Sequence, residues 1–372
     1  MYKIHCLNNI SSKGTDLLTD AYGLTDNLDE ATGVLVRSAA MHDTEFPESL
    51  LAIGRAGAGV NNIPLDRCAD EGIVVFNTPG ANANAVKELV LCGMLLACRD
   101  IIGGAAWCRE NADDENIGKA AEKAKKAFAG SEIMGKKLGL IGIGAIGRKV
   151  AESAYALGMD VCAYDPYVTA TDPIKNIEDP NEIYETCDFI SIHVPAMEST
   201  KGMINADVLS KMNGTVILNF SRDTLVDSDA MAAALEAGQV KKYVTDFATP
   251  AVMKMPNTIV LPHLGASTEE AEENCAVMAT NELMAFIEKG AIKNSENFPA
   301  IDAGELAAGN ARIVVLHSAA AADAVAAVAG AAAAAVKGER GVTIVDGPAG
   351  DAEDVAAKIA AIDGVIRARV IA

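Results

Sequence analysis

The sequence predicts an α/β fold with two Rossmann-like, doubly wound parallel-sheet domains and a small C-terminal α+β module. Three observations lead to this prediction. Short apolar runs alternate with helical patterns through the first two thirds of the chain. After Asn297–Pro299 the chain becomes rich in alanine and nearly loses its aromatic residues, which indicates a domain boundary. At 372 residues the chain also exceeds the usual size of one hydrophobic core.

The strands of the two parallel sheets are predicted from the apolar runs. They are Gly33–Arg37, Leu51–Arg55, Ile73–Asn77, Lys137–Ile143, Asp160–Tyr164, Phe189–His193, Thr215–Asn219, Tyr243–Asp246 and Thr258–Leu261. Helices are predicted between them, including Ala83–Leu96 after a Pro-Gly turn and Gly147–Leu157 after a glycine-rich loop.

The tail predicts a strand, a helix, a hairpin, a second helix and a last strand. The predicted elements are Arg312–Leu316, an alanine-rich helix, Ala331–Val336, Val342–Val345, Ala352–Ala361 and Val365–Ile371. We expect residues 1–96 and 272–300 to form a discontinuous first domain, residues 97–271 an inserted cofactor domain, and residues 306–372 the C-terminal module.

Composition excludes several classes of partner. The net charge of −20 argues against nucleic acid, whose phosphates are bound through clustered Lys and Arg. The eight cysteines are dispersed without metal-ligand spacing, so we expect reduced thiols, no metal and a cytoplasmic location. The N-terminus lacks the pattern of a signal peptide, and the segment Leu89–Ile102 is too short and too charged to span a bilayer.

A dinucleotide site is predicted where the run Lys137–Ile143 leads through G-x-G-x-x-G into a helix. Gly142 permits the tight turn, Gly144 lets the backbone approach a pyrophosphate, and Gly147 lets the helix pack closely on the strand. Asp165 follows the next predicted strand, 18 residues after Gly147, where a carboxylate that binds ribose hydroxyls is expected. That carboxylate would repel a 2′-phosphate, so NAD is the predicted cofactor rather than NADP. The alternative is that the glycines only shape a tight turn.

Oxidation of a 2-hydroxy acid requires a base for the hydroxyl proton and a cation for the carboxylate and the nascent carbonyl. His263 and Arg222 are residues of these types, and each follows a predicted strand, where open α/β sheets collect functional residues. Either residue in isolation is more typical of a structural histidine or of a surface ion pair.

Eight motifs occur in the order typical of the D-2-hydroxyacid dehydrogenase family, which the sequence resembles from about Val34 to Pro299. They are LVRSA, GRAGAGVNNI, NTPGANANAVKEL, GLIGIGAIG, HVPAMESTKGMI, NFSRDTLVD, DFATP and PHLGASTEEAEENCA. The resemblance implies that His263 is the acid/base and that Arg222 binds the substrate carboxylate and carbonyl.

The resemblance also implies the residues that bind cofactor and substrate. Those near the cofactor are Gly142, Gly144, Ala145, Ile146, Gly147, Asp165, His193, Pro195, Thr200, Asn219, Phe220, Ser221, Asp246 and Gly265. Those near the substrate are Arg37, Ser38, Arg55, Ala56 and Gly57, with the two arginines closest to a substrate phosphate. For Arg37, Arg55 and Asp246, a structural role is the alternative.

The motif PHLGAST, followed by NFP, favours 3-phospho-D-glycerate as the substrate, and hence the first step of phosphorylated serine biosynthesis. Another D-2-hydroxy acid, glyoxylate or hydroxypyruvate is the nearer alternative. An NAD-sensing protein like the family's corepressors is an alternative of another class. The resemblance implies catalysis in a cleft between the first two domains, and a homodimer or homotetramer assembled through the arm Ile102–Phe128.

Two segments depart from the family pattern. The glutamate that usually orients the catalytic histidine is absent, because Pro250 and Ala251 stand about where it would fall. We therefore expect His263 to be protonated less easily and turnover to be reduced. The tail resembles an ACT regulatory domain, but alanines follow His317-Ser318 in place of the asparagine and proline that bind serine there. We expect no serine sensing.

Overall fold

The computed structural model of the protein describes residues 1–328 and 330–371, so Ala329 and Ala372 of the predicted C-terminal module lie outside the described residues. The chain divides into two compact units. One comprises Met1–Asn82 together with Glu269–Ala372, and the other comprises Ala83–Thr268.

The first unit begins with a five-stranded parallel sheet in the order β2-β1-β3-β4-β5. Its elements are β1 (Tyr2–Cys6), α1 (Ser12–Thr15), β2 (Tyr22–Thr25), β3 (Gly33–Val36), β4 (Ala52–Arg55), α2 (Leu65–Asp70) and β5 (Val74–Phe76). Strands β3, β4 and β5 lie where the apolar runs predicted them. Strands β1 and β2 were not predicted, because their half-buried residues lack a continuous apolar run.

The second unit is built on a seven-stranded parallel sheet in the order β12-β11-β10-β9-β6-β7-β8. Its strands are β6 (Lys137–Ile141), β7 (Asp160–Tyr164), β8 (Lys175–Asn176), β9 (Phe189–Ile192), β10 (Thr215–Asn219), β11 (Val240–Thr245) and β12 (Thr258–Val260). Its helices are α3 (Ala83–Cys98), α4 (Ile101–Glu110), α5 (Ile117–Ala124), α6 (Ala145–Ala156), α7 (Pro180–Thr186), α8 (Ala206–Leu209) and α9 (Ser228–Ala237). Strand β6 lies between β7 and β9, so the winding direction changes at its carboxyl end.

Helix α3 lies in the second unit, whereas the sequence analysis assigned it to the first domain. Its buried Val86, Val90 and Met94 share one apolar core with residues of β6 and α6. Their burial decides the boundary, which therefore falls at residue 82 rather than 96. The other boundary lies between Thr268 and Glu269, before the predicted position.

The first unit resumes with a long helix and ends in a four-stranded antiparallel sheet, ordered β14-β15-β13-β16. These elements are α10 (Glu269–Lys289), β13 (Asn310–Ser318), α11 (Ala322–Val328), β14 (Ala333–Lys337), β15 (Arg340–Pro348), α12 (Ala352–Ala360) and β16 (Val365–Ile371). The alanine-rich β14 is an edge strand that pairs along its length with β15. This pairing holds the segment extended, although alanine favours a helix. The predicted fold class, two parallel sheets and a small α+β module, is confirmed.

The C-terminal module packs on the first sheet and on α10 through one face of its own sheet. Val314, Leu316 and Ile344 are buried in the same core as Phe286 of α10. Arg369 donates to the carbonyl oxygens of Phe286 and Ile287 over 2.8 and 2.7 Å, which satisfies acceptors near the end of α10. This face of the sheet is therefore covered within the unit.

His317 is fully buried in this module. One ring nitrogen, Nδ1, lies 2.8 Å from the Ser318 carbonyl oxygen, and Nε2 lies 2.9 Å from Thr343 Oγ1. Both ring nitrogens therefore have partners inside the module.

Among the described residues, no single helix is long and apolar enough to span a membrane, and only α3 and α4 together, bent by 69°, reach that length and composition. No group of three or more His, Cys, Asp or Glu side chains in residues 1–328 and 330–371 is arranged to hold a metal ion.

Candidate active site

The predicted cofactor and catalytic residues of the second unit follow the carboxyl ends of its strands. Gly142 comes after β6, Asp165 after β7, and His193 after β9. Arg222 follows β10, and His263 follows β12. Because all these strands are parallel, their carboxyl ends lie at one edge of the sheet.

The glycine-rich turn has the geometry that a dinucleotide pyrophosphate requires. Gly142 has φ +96°, and a Cβ there would lie 2.4 Å from the His193 carbonyl oxygen. A Cβ on Gly147 would lie 2.2 Å from the Gly142 carbonyl oxygen, so only glycine allows α6 to start this close to β6. Beside Gly144, by contrast, no atom of the described residues comes within 4 Å of a Cβ position.

The space beside Gly144 faces the first turn of α6. Gly144 is the N-cap and offers no side chain, so the backbone N–H groups of Ala145, Ile146 and Gly147 lack a side-chain cap. Free N–H groups and the positive end of the helix dipole favour an anion at this point. The turn therefore fits a pyrophosphate.

Asp165, the predicted ribose-binding carboxylate, also forms hydrogen bonds that shape the glycine-rich turn. Its Oδ2 accepts a hydrogen bond of 2.9 Å from Ile143 N, inside the glycine-rich turn. Its Oδ1 accepts from Tyr167 N and Val168 N at 2.9 and 3.2 Å. The half-buried carboxylate is thus held beside Gly142 and Gly144, in the position that suits ribose hydroxyls.

His193 lies directly after β9. Its Nε2 is 2.8 Å from Ser191 Oγ, whereas its solvent-inaccessible Nδ1 has no hydrogen-bond partner in the described residues. Burial lowers the pKa of His193 to about 4, so the ring is neutral at pH 7. The following loop is closed by Thr200, whose hydroxyl donates to the Pro195 carbonyl oxygen at 2.7 Å and accepts from Met197 N at 2.9 Å. Thr200 therefore braces this loop.

Hydrogen bonds from the side chains of Asn219 and Ser221 hold the loop after β10. Asn219 is fully buried, its Nδ2 donates to the Arg222 carbonyl oxygen at 2.9 Å, and its Oδ1 accepts from Ser221 N at 3.2 Å. Ser221 donates to the Ile192 carbonyl oxygen at 2.7 Å, which ties the loop to β9. Arg222 itself is exposed at the rim, where its guanidinium can meet a carboxylate.

The Phe220 side chain has a different position from the one the resemblance implies. It is buried in the core against α3, and a Cβ on Gly93 would lie 3.0 Å from its ring. Its contribution near the cofactor is therefore limited to its backbone, because an aromatic ring in this sequence context packs inward.

His263 is exposed and adopts the left-handed backbone conformation, with φ +43°. Its backbone N donates to the Asp246 carbonyl oxygen at 2.9 Å, and its ring stacks edge-on against Phe247 with 5.0 Å between ring centroids. Two anchors therefore hold an unusual backbone conformation and direct the imidazole.

Asp246 is the buried carboxyl group of this edge, with 2% of its surface exposed. Its Oδ2 accepts from Gly265 N at 3.1 Å, whereas its buried Oδ1 has no partner in the described residues. Burial raises the pKa of Asp246, and the nearby charges of His263 and Arg222 act against that rise. The unpaired oxygen fits a donor such as the nicotinamide amide, so the residues present fit NAD.

A carboxyl group other than the missing family glutamate lies near His263. Pro250 and Ala251 are exposed in the turn before Val252–Lys254 and carry no charge, but the Asp246 carboxyl is close enough for the two charges to interact. This pairing was not predicted, because Asp246 follows β11 and His263 follows β12, and their proximity depends on the alignment of the two strands.

The predicted substrate residues of the first unit lie at the carboxyl edge of its own sheet. Arg55 is the last residue of β4 and lies opposite Val36, the last residue of β3. Arg37 and Ser38 come directly after Val36. Asn8, which was not predicted, accepts hydrogen bonds of 2.9 to 3.1 Å from three successive backbone N–H groups, those of residues 37–39. Its signal would have been the polar pair Asn8-Asn9 after β1, a strand that was itself missed.

The two arginines converge on the start of α10. Both guanidinium charges lower the pKa of the buried Cys275 thiol, although its burial outweighs them and raises that pKa overall. Arg37 forms a 2.5 Å ion pair with Glu272, and both side chains are about 40% exposed. Arg55 folds over Gly57, where a Cβ would overlap Arg55 Nη1, so only glycine leaves room for the guanidinium.

These groups are suited to one kind of chemistry. Bound NAD supplies the acceptor for a hydride from the carbon that bears the hydroxyl. An exposed guanidinium such as that of Arg222 can bind and polarise an anionic substrate, and an exposed imidazole such as that of His263 can take a hydroxyl proton. A buried carboxyl group such as that of Asp246 can stabilise the positive charge that results. The carboxyl edge of the first unit's own sheet carries two further cations, Arg37 and Arg55.

Comparison with known proteins supports the same chemistry. Residues 91–265 match the family described as D-isomer specific 2-hydroxyacid dehydrogenase, NAD binding domain. The chain is 34% identical to the hydroxypyruvate reductase of Thermotoga maritima over 302 residues, which cover 74% of this chain and 95% of that protein. It is 33% identical to the D-3-phosphoglycerate dehydrogenase of Bacillus subtilis over 296 residues, 76% of this chain and 54% of that one. The chain thus spans about half the length of the curated phosphoglycerate dehydrogenases it matches.

Solved structures have the same fold. The NAD⁺-bound 3-phosphoglycerate dehydrogenase of Entamoeba histolytica has a TM-score of 0.64 and 26% identity, covering 80% of this chain and 98% of that one. A glyoxylate/hydroxypyruvate reductase of Sinorhizobium meliloti has a TM-score of 0.68 at 21% identity, covering 79% and 97% of the two chains, which is a likeness of fold alone. The chain therefore belongs to the D-isomer specific 2-hydroxyacid dehydrogenases, a family of NAD-dependent oxidoreductases.

Proposed function

We propose that the protein oxidises 3-phospho-D-glycerate to 3-phosphooxypyruvate with NAD. The observation that carries this proposal is the position of Arg37 and Arg55, which follow adjacent parallel strands and whose charges both act on Cys275. Two guanidinium groups at one edge are suited to a phosphate as well as a carboxylate. Phosphoglycerate dehydrogenases from several organisms also match this chain at 31 to 35% identity.

In this reaction each of these residues has a defined role. Arg222 binds the substrate carboxylate and polarises the nascent carbonyl, His263 accepts the hydroxyl proton, and Asp246 stabilises protonated His263. Arg55 with the Ala56-Gly57 backbone contacts the substrate, and Arg37 and Arg55 hold its phosphate. The product would enter phosphorylated serine biosynthesis in the cytoplasm.

The direct test follows NADH formation with 3-phospho-D-glycerate, D-glycerate and D-lactate as parallel substrates. We expect the phosphorylated acid to give the highest kcat/KM and His263→Ala to abolish turnover. Arg37→Ala should raise KM for the phosphorylated acid by about tenfold or more and leave D-glycerate nearly unaffected, since a charge-assisted contact contributes about 1.5–3 kcal/mol. Arg55→Ala should raise KM for both acids, because Arg55 also contacts the part of the substrate that they share. Equal kcat/KM for 3-phospho-D-glycerate and D-glycerate would contradict the proposal.

Reduction of hydroxypyruvate is the second candidate, and one observation favours it. Arg37 is already paired with Glu272, so a phosphate would have to compete with a carboxylate for the same guanidinium. The Thermotoga maritima relative is also named a hydroxypyruvate reductase. Glu272→Gln separates the two candidates. This substitution should lower KM for 3-phospho-D-glycerate if Arg37 binds phosphate, and it should leave hydroxypyruvate reduction unchanged if that is the native reaction.

Tight NAD binding without turnover on any substrate would favour the NAD-sensing alternative.

We also propose that the protein forms a homodimer or homotetramer through α4 and α5. Neither helix has a buried residue, and Ile101 and Ile102 expose about half of their surfaces. Apolar side chains in this position are typical of a subunit contact. Light scattering after chromatography should give an oligomer, and Ile101→Glu with Ile102→Glu should give a smaller species. A monomeric native chain would exclude this arrangement.

A further inference from the structure

Two buried thiols contact each other inside the second unit. Cys162 lies in the middle of β7, and Cys187 lies between α7 and β9. Their Sγ atoms are 3.7 Å apart, and their exposed fractions are 1% and 4%. A disulfide requires about 2.05 Å between sulfurs, so the two atoms need to approach each other by only about 1.6 Å.

A glycine on the strand between them creates the space in which the sulfurs meet. Gly139 of β6 is the register partner of Cys162 on one side and of Ile190 of β9 on the other. A Cβ on Gly139 would lie 2.9 Å from Cys187 Sγ and 2.3 Å from Ile183 of α7. Because Gly139 lacks that atom, Cys187 reaches over β6 to the sulfur on β7.

The two thiols also differ in how readily they ionise. The contact between the two sulfurs lowers the pKa of the Cys162 thiol. The same contact, together with burial, raises the pKa of the Cys187 thiol. Since a thiolate is the nucleophile in thiol oxidation, Cys162 is the sulfur that reacts first and Cys187 the one that resolves.

We propose that Cys162 and Cys187 form an oxidation site that hydrogen peroxide converts into an intramolecular disulfide. Cys162 sulfur attacks one peroxide oxygen, the O–O bond breaks, and a sulfenic acid and one water result. Cys187 sulfur then attacks the sulfenic sulfur, the S–O bond breaks, and a second water leaves. Two thiol hydrogens and two electrons pass to the peroxide, and a dithiol reductant reverses the change.

Burial makes the site selective for small neutral oxidants. Peroxide is about the size of water, whereas maleimides and glutathione disulfide are too large to reach a side chain with 1% to 4% exposure. Cys92 and Cys108 are exposed and serve as internal references for such reagents. Peroxide should therefore oxidise the buried pair Cys162 and Cys187 before Cys92 and Cys108, whereas a maleimide should react with the exposed Cys92 and Cys108 first.

The disulfide would act on cofactor binding through β7. Cys162 lies three residues before Asp165, whose carboxylate organises the glycine-rich turn through Ile143 N. Drawing Cys162 toward Cys187 displaces this strand relative to β6. We expect oxidation to weaken NAD binding by about fivefold, equivalent to ~1 kcal/mol.

The test uses the full chain, treated with hydrogen peroxide, quenched, alkylated and digested under non-reducing conditions. The expected product is one cross-linked peptide pair, Cys162 with Cys187, two hydrogens lighter than the sum of its peptides and released by dithiothreitol. Calorimetry should show the loss of NAD affinity in the oxidised native chain and its recovery after reduction. Cys162→Ser and Cys187→Ser should each abolish the cross-link and the change in affinity, and Cys92→Ser with Cys108→Ser is the matched control that should keep both.

Other outcomes would overturn the proposal. Alkylated Cys162 and Cys187 after a peroxide dose that oxidises Cys92 would show that the buried pair does not react. Sulfinic acid on Cys162 without the cross-link would show that Cys187 does not resolve it. A cross-link that leaves NAD affinity unchanged would refute the link to Asp165. The mass measurement needs no turnover, so this result is independent of the substrate proposal.

Discussion

At the scale of single residues, the pairing of Asp246 with His263 places a buried carboxyl group beside the predicted catalytic base. The Asp246 carboxyl is buried, and one of its oxygens has no partner in the described residues. The charges of His263 and Arg222 both act on it. A carboxyl group in this position can stabilise positive charge that develops on the imidazole during catalysis.

Asp246→Asn should lower kcat for NADH formation by about tenfold, because the positive charge that develops on the proton-accepting imidazole loses its nearby carboxyl group. The amide oxygen can still accept from Gly265 N, so folding should be retained. Initial rates at saturating substrate measure the effect. Asp207→Asn, at an exposed position in α8, is the control, and an unchanged kcat in Asp246→Asn would remove Asp246 from this role.

His193 makes folding stability depend on pH. Its pKa is about 4 in the folded protein, against an ordinary value of 6.5. Between these values the unfolded chain binds a proton that the folded chain does not, so stability falls as pH decreases from 6.5 to 4. The contribution is about 3 kcal/mol and is fully retained above pH 6.5.

His193→Gln should remove this dependence, so that the variant loses about 3 kcal/mol less free energy of unfolding than the native chain between pH 6.5 and 4. Urea unfolding at several pH values measures the difference. His42→Gln, at an exposed position, should behave like the native chain. Parallel pH curves for native and His193→Gln chains would show that the folded ring takes up its proton normally.

At the scale of elements, the glycine-rich turn and the loop after β7 act as one unit. Asp165 joins them through its bonds to Ile143 N, Tyr167 N and Val168 N. The position of the cofactor therefore depends on a carboxylate that also holds the backbone.

Asp165→Asn should weaken NAD binding by about tenfold and NADP binding much less, because a charged acceptor of the ribose hydroxyls is lost together with its repulsion of a 2′-phosphate. Fluorescence titration with both dinucleotides measures the ratio. Asp160→Asn, at the opposite end of β7, is the matched control. A native preference for NADP, or an unchanged ratio in Asp165→Asn, would contradict the assignment.

Arg312 joins the C-terminal module to the rest of the first unit, and within the module it forms a buried ion pair with Asp346. Arg312, 2% exposed, donates from Nε and Nη2 to the two Asp346 oxygens at 2.8 Å each. Its Nη1 also donates to the carbonyl oxygens of Lys289 and Gly304. The guanidinium thus joins β13, β15, the end of α10 and the connection between them.

Arg312→Met should lower the free energy of unfolding by about 3 kcal/mol, since it leaves Asp346 without its partner in a largely buried site. Lys289→Met removes an exposed ion pair with Glu305 and should cost less than about 1 kcal/mol. Denaturant titration of both variants checks the difference. Equal effects would show that the buried pair contributes no more than a surface pair.

At the scale of the whole molecule, the net charge of −20 is the dominant property. Self-repulsion of this size destabilises the compact state, and salt screens it over about 10 Å at 0.1 M. We expect Tm to rise by several degrees between about 20 and 200 mM salt. NaCl and KCl should act equally, because the effect is screening, and a Tm that falls with salt would show that attractive ion pairs dominate instead.

Much of the fold and of the cofactor site could be predicted from local sequence. The strand-to-helix glycine turn and Asp165 are short-range patterns, because each glycine meets a constraint within a few residues or at one neighbouring strand. The buried strands of the parallel sheets were also found from their apolar runs, whereas β1, β2 and β8 were not. These three are short or half-buried, and their pairing with neighbouring strands makes them extended.

Sequence alone therefore determined the fold class, the turn that fits NAD, and the strand ends at which Arg222 and His263 occur. Only the tertiary structure decided that α3 belongs to the second unit, that Glu272 pairs with Arg37, and that Asp246 accompanies His263. It also brought Cys162 to Cys187 across Gly139. The reason is physical: these partners are distant in the chain, and strand register and core packing bring them together, which composition and periodicity do not encode.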